Sequence, residues 1–270
     1  ANIRLIRRRI KGIQSTAKIT RAMEMIATLK MRRAQERGLA GRPYSDKITQ
    51  VLADLAALPG EVEALHPLLQ RRPVNKIAVV HITPDRGLCG GLNANINRRT
   101  ASLILEQSIP VTLIAIGRKG FDFMRRYERD IRAEFTRLGD RPSLLDTLPI
   151  SRIIIDDYTN GVIDLVYLVY AQFISTMVQR PVMQQILPVE PAAIPTAQNV
   201  DYIYEPGPAA VLGELLPRFV EMQVYHAILE SIASEQSARM VAMRNATDNA
   251  NELIEELTLM YNKARQESIT

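Results

Sequence analysis

Tryptophan is absent from this chain of 270 residues, and aromatic residues together make up only 5% of it. Such a composition favours a protein in which long helices, rather than thick β-sandwich cores, supply the packing. The chain has a single cysteine, Cys89, which excludes an intrachain disulfide framework. A reducing compartment is therefore expected.

Long apolar runs are also missing. No stretch reaches the roughly 18 apolar residues of a membrane-spanning helix, and the best run, Val162 to Val169, contains Asp164. The basic N-terminus is not followed by an apolar core or a small-residue cleavage site, so we expect neither a secretory signal nor an organelle transit peptide. The sequence predicts a chain that does not itself cross a membrane.

The charge is uneven along the chain, although the formal total is only +5. Residues 1–42 contain twelve Lys and Arg against two Glu, a balance of +10, whereas residues 209–270 contain five Lys and Arg against nine Asp and Glu, a balance of −4. Opposite charges beside an apolar seam favour lengthwise pairing of two helices. Charge alone does not distinguish such pairing from two unrelated, solvated helix faces.

Residues 1–58 are predicted to form the first of two long helices. Apolar residues recur at alternating intervals of three and four, the spacing of a coiled-coil seam, at Ile3, Ile6, Ile10, Ile13 and Ala17. Ile19, Met23 and Ile26 are predicted to broaden this apolar stripe. Pro43 predicts a bend in the helix rather than its end.

Residues 74–190 alternate short β-branched runs with helical stretches, which is typical of an α/β layer domain with a Rossmann-like fold. The predicted strands are 77–82, 111–116, 162–170 and 182–187. The predicted helices are 92–106, 118–127 and 144–158. Residues 188–208 contain five prolines, and residues 191–208 are predicted to form a linker and foot.

Residues 209–270 are predicted to form one helix, because no proline follows Pro217 and no glycine follows Gly213. Its predicted seam consists of Ala246, Ala250, Leu253, Leu257, Met260 and Ala264. At 1.5 Å per residue such a helix is about 80–90 Å long, more than a domain of this size covers. The sequence therefore predicts the class α/β with long helices, in which the terminal helices form an antiparallel coiled coil that protrudes from the α/β domain.

No catalytic motif is found. Segment 85–91, Asp-Arg-Gly-Leu-Cys-Gly-Gly, follows a predicted strand, but it matches neither the dinucleotide pattern nor the phosphate loop. The three histidines are scattered, so no metal site is predicted. Asp156-Asp157 and Glu255-Glu256 are predicted to be solvated, because adjacent side chains diverge on a helix. A packing role is predicted for Cys89.

Several blocks of the sequence carry a specific likeness. They are residues 19–27 (ITRAMEMIA), 85–93 (DRGLCGGLN), 234–243 (SEQSARMVAM), 246–249 (ATDN) and 261–266 (YNKARQ). In these blocks, and in their order along the whole chain, the sequence resembles the gamma subunits of F-type ATP synthases. The resemblance implies a left-handed antiparallel coiled coil with an α/β domain at its base, acting as a non-catalytic rotor. Its coil would lie inside a ring of three alpha and three beta subunits, and its base on the epsilon subunit and the c-ring.

The resemblance also implies contact residues. The positions that match contacts with the beta subunit are Met23, Cys89, Arg239 and Gln266. The positions that match the foot on the c-ring and epsilon subunit are Tyr202, Tyr204 and Glu205. No catalytic residue, cofactor or metal is implied. The expected location is the periphery of a bacterial cell membrane, on its cytoplasmic face.

Two other classes of function remain open at this point. The basic N-terminal helix is compatible with a coiled-coil protein that binds nucleic acid, although no base-reading motif accompanies it. A nucleotide-dependent enzyme built on the α/β domain would need a phosphate-binding loop, which the sequence does not contain.

Overall fold

The structure is a computed structural model, and it describes residues 3–56, 66–190, 205 and 207–269. The helices are α1 (Ile3–Ala56), α2 (Leu92–Glu106), α3 (Arg118–Arg126), α4 (Leu144–Thr159) and α5 (Pro208–Ile269). The strands are β1 (Ile77–Ile82), β2 (Val111–Ile116), β3 (Ile131–Phe135), β4 (Leu165–Phe173) and β5 (Gln179–Leu187). A short 3-10 helix spans Pro67–Leu69. The predicted class, α/β with long helices, is confirmed.

The five strands form one sheet in the order β3-β2-β1-β4-β5. β1 to β4 are parallel, and β5 pairs antiparallel with β4 at one edge. Helices cover both faces of the sheet, and the side chains of β1 point alternately to one face and the other. Ile77 and Val79 belong to the core shared with α2 and α3, whereas Val80 and Ile82 belong to the core shared with α4 and α5.

Strand β3 is missing from the sequence prediction. It lies at the other edge of the sheet, and its residues alternate between half-buried and exposed positions. Arg132 and Glu134 occupy the exposed positions, so the strand lacks the continuous apolar run that marks a central parallel strand.

The bounds of β4 and β5 also differ from the prediction. β4 begins at Leu165 rather than at residue 162, because Gly161 takes a left-handed turn and Asp164 accepts hydrogen bonds from the backbone N–H groups of Asn75 and Lys76 (2.9 and 3.1 Å). β5 begins at Gln179, three residues earlier than predicted. Its first residues are polar and include Pro181, which is tolerated because β5 is an edge strand.

The prediction for Asp156-Asp157 is wrong for Asp157. Its side chain is buried and accepts two hydrogen bonds from the guanidinium group of Arg132, at 3.0 and 3.2 Å. The partner lies on the strand that the sequence did not reveal. Glu255 and Glu256 are exposed, as predicted.

Helices α1 and α5 pack together along their length in antiparallel order. The hydroxyl oxygens of Thr20 and Thr247 lie 2.7 Å apart, and Arg244 Nε donates to Glu24 Oε1 at 2.9 Å. Nearer the end of the chain, Ile6 packs with Leu257 and Ala264. Residue numbers thus rise along α1 as they fall along α5, which confirms the predicted antiparallel pairing.

The predicted seam on α5 is confirmed in part, because Ala250, Leu257 and Ala264 are buried and Ala246 is half-buried. Leu253 and Met260 are 42% and 56% exposed, whereas the buried positions are Met240, Met243, Thr247, Ala250, Leu257 and Ala264. Ile19 and Ile26 of α1 are likewise exposed rather than part of the stripe. The polar Thr247 occupies a seam position because it pairs with Thr20, and a count of apolar residues does not detect such a pair.

α1 continues without interruption through Gly41 and Pro43. A Cβ atom on Gly41 would lie 2.8 Å from Cε1 of His226, so glycine at this position lets α5 approach α1 closely. The bend at Pro43 stays a prediction. None of the helices in the described ranges has the length and apolarity needed to cross a bilayer.

His81 is fully buried on β1 between two polar side chains. Its Nε2 lies 2.9 Å from Asn97 Oδ1, and its Nδ1 lies 2.8 Å from Thr100 Oγ1. Burial lowers the pKa of His81 to about 4, against an opposing contribution from Asn97. The ring is therefore neutral in the folded chain at neutral pH.

We expect His81 to make the chain acid-sensitive. Between pH 6.5 and about 4 the unfolded chain binds a proton at this residue and the folded chain does not. The free energy of unfolding therefore decreases by about 3 kcal/mol in total as the pH is lowered through this range. This contribution is present in full above pH 6.5. Urea unfolding of the wild type and His81→Gln from pH 7.5 to pH 4 measures it as the difference between two profiles. Parallel profiles would contradict the prediction.

Candidate partner-binding site

The loop 85–91 lies where the coiled coil leaves the α/β domain. It connects the end of β1 to α2, at the carboxyl edge of the parallel strands, where open α/β sheets commonly bind ligands. Asp85 fixes its beginning: Oδ1 accepts from the N–H of Arg118 and Oδ2 from the N–H of Arg137, both at 2.9 Å.

The carboxylate of Asp85 thereby occupies the N-terminus of α3. The first N–H groups of a helix attract anions, and in many α/β proteins this position holds a phosphate group. Here an anion of the chain itself satisfies the N–H of Arg118. This explains physically why a Rossmann-like sheet carries a loop that lacks the phosphate-binding pattern.

Arg239 of α5 holds the middle of the loop. Its Nη2 donates to the carbonyl oxygen of Gly87 at 3.2 Å and lies 2.7 Å from Glu235 Oε1. The side chains of Arg239 and Glu235 are only 11% and 14% exposed. Burial raises the pKa of Glu235, and the neighbouring Arg239 acts against that shift. Arg239 is therefore already engaged within the chain rather than solvated.

Cys89 faces the interior of the domain. It is 1% exposed and belongs to the core between the sheet and α2. Its Sγ accepts a hydrogen bond from Asn93 Nδ2 at 3.3 Å, and burial raises the pKa of the thiol. The predicted packing role is confirmed, and the predicted contact with a partner would have to be made by other atoms of the loop.

A second polar contact joins both coil helices to the same edge of the domain. Lys30 Nζ of α1 lies 2.7 Å from Asp140 Oδ2, and Gln236 of α5 donates to Asp140 Oδ1 at 3.4 Å. Asp140 lies on the loop that follows β3, and with Asp85 it also acts to raise the pKa of Glu235. The coiled coil of α1 and α5, here called the rod, thus meets the α/β domain through a cluster of charged side chains.

The predicted contact residues do not form one site. Cys89 and Arg239 lie together, and half-buried Met23 lies on α1 next to Glu24, the partner of Arg244. Gln266 is exposed on α5, about 40 Å from Arg239 along the helix at 1.5 Å per residue. Glu205 is exposed. Tyr202 and Tyr204 lie outside the described residues. The contacts of these residues with other subunits stay predictions.

Sequence reasoning missed Glu235, Lys30 and Asp140. The spacing of four residues between Glu235 and Arg239 is a helix-pair signal that could have revealed the first. No local signal joins Lys30 to Asp140, because the two residues lie far apart in the chain. Within the described ranges, no group of three potential ligand side chains is placed to hold a metal ion.

Comparison with known proteins identifies relatives over the whole chain. A family model described as ATP synthase matches residues 2–270. The ATP synthase gamma chain of Dehalococcoides mccartyi is 70% identical over 270 residues, covering 100% of this chain and 95% of the relative. That of Herpetosiphon aurantiacus is 50% identical over 279 residues, with the same coverage.

Solved structures show the same fold. A chain of the central stalk and c-ring of the Tetrahymena thermophila mitochondrial ATP synthase matches with a TM-score of 0.67 at 25% identity, covering 84% of this chain and 99% of that chain. A chain of the Euglena gracilis mitochondrial ATP synthase rotor matches with a TM-score of 0.68 at 19% identity, covering 99% of both. The matches give no support to the nucleic-acid-binding alternative.

We expect Arg239→Met to loosen the loop. The change leaves the carbonyl of Gly87 and the buried carboxylate of Glu235 without their cation, which costs about 2–3 kcal/mol of unfolding free energy. Alkylation of Cys89 by a maleimide should accelerate about tenfold, because the thiol is buried only while the loop keeps its place on the domain. Arg265→Met, at an exposed position of the same helix, is the control. Equal labelling rates in the two variants would contradict the role of Arg239.

Proposed function

Because the chain belongs to the family of ATP synthase gamma chains, we propose that it is the rotating central-stalk subunit of an F-type ATP synthase. It is a non-catalytic subunit that couples rotation of the c-ring to ATP synthesis or hydrolysis in the ring of three alpha and three beta subunits. The observation that carries the proposal is the continuity of α5. One helix of 62 residues both packs against the sheet of the α/β domain and pairs with α1 in the coiled coil.

Exposed apolar residues on the coil support enclosure by other subunits. Ile19, Met25, Ile26 and Leu29 of α1 are 52% to 64% exposed. A run of such residues on a soluble rod is a feature of surfaces that other proteins cover. The alpha and beta subunits would provide that cover, whereas the epsilon subunit and the c-ring would bind the base.

The two sides of the rod carry opposite charge. In its first turns, α1 exposes Arg4, Arg7, Arg8, Arg9 and Lys11. None of the ion pairs found in the described residues involves them. The neighbouring part of α5 exposes Glu252, Glu255, Glu256 and Glu267 against Lys263 and Arg265, a negative balance. Three identical beta subunits around such a rod would meet three different faces.

Rotation then becomes a coupling between sites. If the angle of the rod changes the nucleotide affinity of each beta subunit, nucleotide binding must change the preferred angle by the same free energy. A proton gradient that turns the rod therefore drives synthesis, and hydrolysis drives rotation in the opposite direction. The chain needs no cofactor for this role.

Contacts are proposed for the residues that the resemblance singled out. Met23, Arg239, Gln266 and the loop that contains the buried Cys89 would lie towards the beta subunits. Tyr202, Tyr204 and Glu205 would form the foot on the c-ring and the epsilon subunit. As part of a membrane-associated complex, the chain would lie at the periphery of a bacterial cell membrane, on the cytoplasmic face.

Reconstitution tests the function directly. Mixing the chain with matching alpha and beta subunits should yield a stable 3:3:1 assembly with ATPase activity, whereas the chain alone should be inactive. An isolated chain that hydrolyses ATP, or one that ignores alpha and beta subunits and binds DNA, would refute the proposal.

We expect Met23→Lys to impair coupling more than assembly. The added positive charge would lie opposite an acidic loop of the beta subunit and hold the rod in one orientation. In reconstituted vesicles, ATP-driven proton pumping should fall several-fold while ATPase activity remains near the wild-type value.

Two control variants separate charge from position. Met23→Gln changes polarity without adding charge, and Met260→Lys adds the same charge to an exposed methionine of α5. Both should pump protons nearly as well as the wild type. Equal losses of ATPase activity and proton pumping in Met23→Lys would argue against this role of Met23.

A further inference from the structure

The apolar seam between α1 and α5 repeats itself along the rod, in steps of three and four residues. Buried and half-buried apolar residues recur one heptad apart on both helices, namely Ile3 and Ile10, Ile6 and Ile13, and Ala250, Leu257 and Ala264. After a slip of one or two turns, such a seam still places apolar side chains against apolar side chains, because hydrophobic contact has no direction. The apolar pattern by itself therefore does not fix how far α1 is advanced along α5.

The two helices are aligned firmly only near the domain. There, Lys30 of α1 pairs with Asp140, and the ring of His226 packs closely against Gly41. From Lys30 to the beginning of α1 the rod extends about 40 Å at 1.5 Å per residue, and its outermost cluster is apolar. Twisting a pair of helices makes them slide past each other, and small sliding of packed helices is a common response to load.

A pair of hydroxyl groups interrupts this seam. The Oγ1 atoms of Thr20 and Thr247 lie 2.7 Å apart, and the two residues are only 8% and 6% exposed. Thr20 Oγ1 also lies 3.1 Å from the carbonyl oxygen of Ala17, and Thr247 Oγ1 lies 2.9 Å from that of Met243. Each hydroxyl has one proton to donate. Whichever threonine donates across the seam, the other donates to its own helix, so the bond between the helices is made in both arrangements.

This bond contributes little to folding itself. Each hydroxyl can bond a carbonyl oxygen of its own helix, and replacing two bonded groups by apolar groups of the same shape is close to neutral. Sliding, however, separates the two oxygens and places each hydroxyl against an apolar neighbour, so one register is favoured over the others. Arg244 pairs with Glu24 one turn closer to the domain, but Arg244 is 61% exposed and its pair contributes less.

We propose that Thr20 and Thr247 are positioning residues, which fix the register of α1 on α5 where the rod extends beyond the domain. Under load their bond opposes sliding of one helix past the other, so the faces of the rod keep their angle relative to the α/β domain. The register stands on this chain alone, whereas its effect on coupling rests on the proposed function.

The test is the double variant Thr20→Val with Thr247→Val, which removes both hydroxyls and keeps the shape of the side chains. Spin labels on Lys11→Cys and Glu256→Cys, in a Cys89→Ala background, report the register, because both positions are exposed and each lies nine residues from the threonine of its helix. Electron paramagnetic resonance should give one narrow distance distribution for the chain with both threonines. The double valine variant should add a population displaced by about 5 Å, the rise of one helical turn.

Two control variants separate the bond from its chemistry. Thr16→Val with Thr258→Val makes the same change at exposed threonines of the same helices, which bond only their own helix, to Gly12 and Ile254. Thr20→Ser with Thr247→Ser keeps the hydroxyls and removes the methyl groups. Both control variants should keep the single narrow distribution, and the double valine variant should melt near the wild-type temperature.

The outcomes decide between register and folding. A distribution in the double valine variant as narrow as in the wild type overturns the proposal, and so does a melting temperature far below the wild-type value, which would make the pair a folding contact. In reconstituted vesicles, protons pumped per ATP should fall about twofold in the double valine variant while ATPase activity stays near the wild-type value. Failure of the wild type to assemble with alpha and beta subunits refutes the proposed function, and the distances in the chain alone still decide the register.

Discussion

The structure depends on one helix that belongs to two cores. The first half of α5 buries Leu216, Val220 and Val224 against the sheet, and the second half buries Met243, Ala250 and Leu257 in the rod. No break separates the two halves. A torque applied to the domain is therefore carried into the rod through continuous helical hydrogen bonds, without a hinge in α5.

The junction between rod and domain is made of charges rather than of apolar surface alone. Glu235 and Arg239 pair within α5, and Lys30 of α1 pairs with Asp140 of the domain. A partly buried ion pair adds little net stability, but removing one partner is costly because the remaining charge stays buried. Such contacts therefore favour one orientation of the rod on the domain more than they favour folding itself.

The α/β domain has an architecture that is common among nucleotide-binding proteins, but it lacks the site for a nucleotide. Its parallel sheet and the N-terminus of α3 would suit a nucleotide, yet Asp85 satisfies that position from within the chain. The loop that follows is then available for another purpose, and its apex exposes Leu88 instead of binding a phosphate. Fold and site are independent here, as they are in many α/β proteins.

The amino-acid sequence alone was sufficient for the two long helices, their antiparallel pairing and the central parallel strands, because periodicity and proline placement are local signals. It was insufficient for β3, for the seam position of Thr247 and for the partners of Asp157 and Arg239. Edge strands and polar pairs carry no apolar pattern, and their partners are chosen by distant segments. Only the tertiary structure decided that Cys89 points inward and Leu88 outward, because both follow from the contacts that hold the loop on α5 and on the sheet.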